Sequence, residues 1–126
     1  MDKWEMKQLT DVRDKDIYSV EGEKIGTVRD IYYDETSRTP EWVGIGTGFL
    51  GLKERIVPVD NLTSEGDHLT EPFTKDMVKN EPDFDIEDGH LMSEHESQLY
   101  SYFGITGHTE HNVKMLRYGD NYDFDR

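Results

Sequence analysis

Short runs of β-branched and aromatic residues, separated by turns of Gly, Pro and acidic residues, most limit how this chain can fold. They occupy residues 16–20, 24–34, 41–47 and 53–59, and residues 62–73 add a further hairpin pattern. Strands this short gain stability only by pairing with one another. The pattern predicts a mainly β domain, a small antiparallel β-barrel with one or two short helices toward the C-terminus.

Within the run 24–34, the apolar residues do not keep the two-residue period of a regular strand. The period slips between Val28 and Ile31, and a β-bulge at Arg29-Asp30 would restore their facing. We therefore predict a bulge there and a core built from apolar residues of three strands. These residues are Ile25, Val28, Ile31, Val43, Ile45, Val57 and Val59.

After residue 73 the pattern changes from strands to short helices. Thr74 is placed to cap a helix that ends before Pro82. Ser93 and Glu96 have the spacing of a capping box, and Gly104 is placed to end the helix that follows. The chain then divides into a lead-in (1–15), a barrel (16–73), a helical and acidic-linker extension packed on the barrel (74–104), and a polar tail (105–126) that we expect to be ordered only when bound.

The charge of the chain excludes several kinds of partner. The 28 acidic residues outnumber the 14 Lys and Arg, which gives a net charge of −14. Such a surface repels phosphate backbones and anionic lipids, so we predict no nucleic-acid binding and no membrane insertion. The sequence contains no cysteine and opens without an apolar leader, so we expect a cytoplasmic protein without disulfides.

The ordered set of turns and strands resembles the PRC-barrel domain, a small β-barrel also found in the cytoplasmic part of the photosynthetic reaction-centre H subunit. The resemblance covers roughly residues 10–104. The matching pieces are the Gly22 turn before Ile25-Gly26-Thr27-Val28-Arg29-Asp30, then Pro40-Glu41-Trp42-Val43, Gly48-Phe49-Leu50-Gly51, Ile56-Val57-Pro58-Val59 and Tyr102-Phe103-Gly104. The resemblance implies a protein-binding adaptor or scaffold that has no catalytic residues and no cofactor.

An alternative function is calcium binding by the acidic segment 81–96. The side chains of Asp83, Asp85, Glu87 and Glu94 have part of the spacing of an EF-hand loop. The sixth position, which should be Gly, is Asp88, so a solvated acidic linker is the favoured interpretation. The zinc-protease pattern that begins at His95-Glu96 lacks its second histidine, since Leu99 occupies that position.

The strongest candidates for a contact surface lie on or beside an apolar loop between two glycines. Phe49 and Leu50 are at its tip, and Trp42 and Leu52 are close to it in sequence. For Trp42 and Leu52 we favour a place in the core, whereas Phe49 and Leu50 are harder to bury. An apolar tip next to charged residues is typical of a protein interface. We therefore predict partner binding here, with a homodimer as the default.

Overall fold

The computed structural model describes residues 4–51, 53–105 and 112–125, without the side chain of Phe49. The described helices are α1 (Met6–Asp11), α2 (Lys75–Lys79) and α3 (Ser93–Tyr102), and a 3₁₀ turn spans Phe49–Gly51. The described strands are β1 (Asp16–Tyr18), β2 (Lys24–Asp34), β3 (Pro40–Thr47), β4 (Lys53–Pro58), β5 (Thr63–Glu65), β6 (His68–Thr70), β7 (Ile86–Glu87), β8 (His90–Leu91) and β9 (Val113–Leu116).

The nine described strands join one sheet. They pair in the order β5-β6-β1-β2-β9-β8-β7, while β3 pairs with both β2 and β4. β1 and β6 are parallel, and the other described pairs are antiparallel. The predicted mainly β fold is confirmed, but the sheet is mixed, and the pairing of the described strands does not close into a barrel.

β4 explains why the sheet stays open at one end. It pairs with β3 alone among the described strands. On its outer edge the Ile56 N–H donates to Glu81 Oε1 at 2.7 Å. A carboxyl side chain therefore occupies the place that another strand would take in a closed barrel. Pro58 has no N–H, so within a sheet it fits an edge strand or a bulge, and β4 is an edge strand among the described strands.

The predicted bulge and core are both present. Pairing between β2 and β3 shifts register between Val28 and Ile31. The glycines of these strands allow unusually close packing, since a Cβ on Gly26 would lie well within van der Waals contact distance of the Gly46 carbonyl oxygen. The seven predicted core residues, Ile25, Val28, Ile31, Val43, Ile45, Val57 and Val59, are all buried.

The two predicted helices are present, but only one begins as predicted. Thr74 caps α2 and its side chain accepts from the Met77 N–H at 3.1 Å. The N-cap of α3 is Met92, so the prediction that Ser93 caps this helix is wrong. The reason lies in Glu96, whose carboxylate accepts from the buried Trp42 Nε1–H instead of completing a capping box.

Both ends of the described chain are more ordered than the sequence suggested. The lead-in contains α1, whose capping box is formed by Glu5 and Gln8. The segment predicted as a polar tail contributes β9, which pairs with β2. Val113 and Leu116 are buried in that pairing, so a tail ordered only on binding is wrong for residues 113–116. None of the described helices is long and apolar enough to span a membrane.

Candidate interaction surface

The loop between β3 and β4, residues 48–51, presents an apolar side chain to solvent. Its backbone is left-handed at three positions, with φ of 76° at Gly48, 58° at Leu50 and 65° at Gly51. Glycine adopts this conformation freely, but for leucine it costs about 1–2 kcal/mol. The Leu50 side chain is 73% exposed. The loop therefore exposes a large apolar group in a conformation that the rest of the fold must maintain.

Arg29 supports this loop from the neighbouring strand. A Cβ on Gly46 would lie 2.6 Å from Arg29 Nε, and one on Gly51 would lie 3.2 Å from Arg29 Nη2. The absence of side chains at both positions lets the guanidinium group lie directly against the backbone. Arg29 belongs to the bulge of β2, so the bulge places this support beneath the loop.

The other predicted contact residues differ in position from Leu50. Trp42 is fully buried, with its ring 4.7 Å from that of Tyr100. It gives no surface to a partner in this fold, because β3 directs it beneath α3, where it donates to Glu96 at 3.1 Å. The side chain of Phe49 and all of Leu52 lie outside the described residues. The partner-binding role of Leu50 stays a prediction.

A cavity of about 540 Å³ adjoins the 48–51 loop. It lies between β2, the ends of β3 and β4, and α2. Ile25 and Val78 contribute apolar surface, while Gly48 and Gly51 lie on the side of the loop. Its charged lining residues are all cations, namely Lys24, Lys53, Arg55, Lys75 and Lys79. We call this feature the cationic cavity.

The five cations differ in how they are compensated. Lys24 pairs with Asp16 at 3.1 Å, and Arg55 Nη1 pairs with Asp83 at 3.2 Å. The remaining three, Lys53, Lys75 and Lys79, are exposed and form no ion pair with the carboxylates of the described residues. Sequence reasoning missed this cluster because β2, β4 and α2 each supply only one or two of its members.

Carboxyl groups collect around the outer edge and opposite face of β4. The Glu54 carboxylate accepts from the Tyr32 hydroxyl. Burial, together with a hydrogen bond to Asp30, raises the pKa of Glu54 to about 8. Burial also raises the pKa of Glu81 to about 8, and Glu81 Oε2 has no hydrogen-bond partner among the described residues. We call Asp30, Glu54 and Glu81 the carboxyl flank.

The structure does not gather the carboxylates of the proposed calcium loop. Asp83 pairs with Arg55, and Glu87 lies on β7 of a small hairpin. Asp88 and Gly89 form the two-residue turn of that hairpin, with φ of 52° and 79°. Glu94 lies in the first turn of α3. Over residues 4–51, 53–105 and 112–125, no three His, Asp or Glu side chains lie close enough together to hold a metal ion.

Comparison with known families gives a match to a family of small β domains. The profile of the PRC-barrel domain matches residues 5–78, from the start of α1 to α2. This span begins before the barrel boundary predicted at residue 16, and so includes the lead-in helix. No curated protein matches the chain.

Proposed function

Because the chain belongs to the PRC-barrel domain family, we propose that it is a non-enzymatic protein-binding adaptor that contacts its partner through the 48–51 loop. The family is of a protein-interaction type, which supports binding rather than catalysis. The observation that carries the choice of surface is the 73% exposure of Leu50. It is the most exposed of the large apolar side chains over the described residues.

The construction of the loop supports this assignment. A leucine held at φ 58° is strained, and such strain persists only where the surrounding structure imposes it. Arg29, which lies against the loop, and the hydrogen bond from Gly51 N–H to the Gly48 carbonyl at 3.1 Å supply that constraint. A pre-ordered loop loses little conformational entropy when it binds, so more of the energy of burying Leu50 contributes to affinity.

A second copy of the chain is the partner in this proposal. Most soluble homo-oligomers are twofold dimers, in which the same patch of each copy meets its equivalent. An apolar tip suits such a contact because it adds no like charge to two chains that each carry −14. The dimer is therefore expected to be centred on Leu50.

The experiment is sedimentation equilibrium of the parent and a Leu50→Asn variant over a range of concentrations. Asn tolerates the left-handed conformation at least as well as Leu, so the fold is retained. Each copy of a twofold dimer buries its own Leu50, so the substitution should cost about 3–6 kcal/mol and weaken association by roughly 100-fold or more. The matched control is Val20→Asn, which alters an apolar residue that is 62% exposed at a different turn.

The outcome that supports the proposal is weakened association in Leu50→Asn alone, with melting temperatures equal to that of the parent. A parent that stays monomeric throughout would overturn the dimer. Equal weakening by Leu50→Asn and Val20→Asn would overturn the choice of surface.

A further inference from the structure

The cationic cavity stands out against the charge of the whole chain. The sequence has 14 Lys and Arg and a net charge of −14, yet five of those 14 side chains line this cavity and no Asp or Glu does. Solubility does not require such a cluster, since an acidic surface is already soluble. Gathering like charges costs repulsion that a bound anionic group would relieve.

Arg55 adds a buried cation to this lining. Only 7% of Arg55 is exposed, and its Nε has no hydrogen-bond partner among the described residues. Asp83 satisfies only the Nη1 side of the guanidinium group. A buried donor without a partner is costly, so an acceptor that enters the cavity would gain both charge and hydrogen-bond complementarity.

We propose that the cationic cavity binds an acidic peptide segment of a protein partner other than the second copy. This inference goes beyond the proposed function, because it concerns the cavity and not the dimer contact at Leu50. The carboxylates of the peptide would pair with Lys53, Lys75 and Lys79, which have exposed ammonium groups. Ile25 and Val78 add apolar surface for the intervening side chains.

Two observations favour a peptide over a nucleic acid. A net charge of −14 repels a long phosphate backbone at every point outside the cavity, whereas a short acidic segment meets only the cavity. The exposed cations are lysines, and repeated phosphate recognition favours the planar, bidentate arginine group.

The peptide would bind through its side chains and not as an added strand. Outward-facing backbone groups of β4 alternate along the strand, and Ile56 N–H is one of them because it donates to Glu81. The next outward position is Pro58, which has no N–H. The edge of β4 therefore offers few free donors to another backbone.

The test measures binding of a fluorescein-labelled peptide of alternating Glu and Leu to the full chain, by fluorescence anisotropy. Its matched control replaces every Glu with Gln. The double variant Lys53→Glu, Lys75→Glu should bind the acidic peptide at least about tenfold more weakly, because two favourable contacts become repulsive. The control double variant Lys7→Glu, Arg117→Glu changes the net charge equally at two exposed residues outside the cavity and should bind within about twofold of the parent.

Affinity should also fall as NaCl rises from about 0.05 to about 0.5 M, because salt screens exposed charges. Equal binding by the two double variants would overturn the proposal, as would equal binding of the Glu and Gln peptides. Inorganic phosphate and the unlabelled Glu peptide are then compared as competitors. If phosphate displaces the labelled peptide at the same millimolar concentration as the unlabelled peptide does, the cavity is a general anion site and the proposal is overturned. If Leu50→Asn weakens self-association but no acidic peptide binds, this inference fails while the proposed function stands.

Discussion

The two sides of β4 differ in both charge and access. On one side Lys53 and Arg55 face the open cationic cavity. On the other, Glu54 and Glu81 are withdrawn from solvent, and Glu81 closes the strand edge through Ile56 N–H. Successive strand residues point to opposite faces, so a single six-residue strand separates the two environments.

The difference between the two sides of β4 shows which part of a small open sheet is available for binding. A bare strand edge invites uncontrolled pairing with other chains, and here a carboxyl side chain covers it. The open side has an apolar loop tip and lysines that form no ion pair with the described carboxylates. Access is thereby limited to partners that match side-chain chemistry, which is more selective than backbone pairing.

The largest expected effect comes from breaking β3, the strand that pairs with β4. Val43 lies at the centre of β3 and is fully buried. Val43→Asp should unfold the domain, because a buried unpaired carboxylate costs several kcal/mol, comparable to the stability of a small domain. Circular dichroism and thermal melting measure this, with the exposed Val20→Asp as the control. A folded Val43→Asp variant with the melting temperature of the parent would contradict the described core.

Two buried carboxyl groups, Glu81 of the carboxyl flank and Glu71, predict how stability depends on pH. Burial raises the pKa of Glu81 from 4.5 to about 8, and burial raises that of Glu71 to about 7. The folded state therefore holds these protons more tightly than the unfolded state. The stability that these two protonated groups contribute is fully present below about pH 4.5 and should be lost as the pH rises toward about 8.

Replacing Glu81 with Gln isolates this contribution. Gln keeps an oxygen acceptor for Ile56 N–H but has no charge to bury, so Glu81→Gln should lose less stability between about pH 5 and pH 9 than the parent does. The exposed Glu87→Gln removes the same charge and serves as the control for overall repulsion. Urea denaturation at the two pH values gives the free energies. If the free energy of unfolding changes equally with pH in all three proteins, Glu81 is not a buried, protonated group at the edge of β4.

The smallest predicted effect concerns the helix ends. Thr74→Ala should cost about 1 kcal/mol by removing the acceptor for Met77 N–H, which would loosen the helix that carries Lys75 and Lys79. Ser93→Ala should be close to neutral, since Met92 and not Ser93 is the N-cap of α3. Chemical denaturation of both variants checks the difference. A larger loss for Ser93→Ala would reverse the assignment of the two caps.

Local patterns were sufficient to predict most of the strands. The bulge beside Arg29, the core around Val43 and the Thr74 cap each depend on residues within a few positions of one another, so the sequence alone contains the signal. The α3 cap was wrong because a distant residue, Trp42, takes the carboxylate that a capping box would use. Tertiary contacts of this kind leave no local pattern.

The remaining features depend on long-range pairing. The sequence predicts a tail where β9 lies, because Val113 and Leu116 stand in a polar segment. The two residues are buried only because β9 pairs with β2. The exposed tip could be predicted from the glycines around Leu50. The cationic cavity could not, because its lysines come from elements that are distant in sequence.

The central claim is that partners bind on the loop and cavity side of β4 and not on the carboxyl flank. Backbone amide NMR spectra recorded over a concentration series test it directly, because each described amide reports its own environment. We expect concentration-dependent shifts centred on residues 46–51 and on the adjoining part of β2, with the amides of Ile56 and Glu81 at the carboxyl flank unchanged. Shifts centred on those two amides, or spectra that do not change with concentration, would contradict the account.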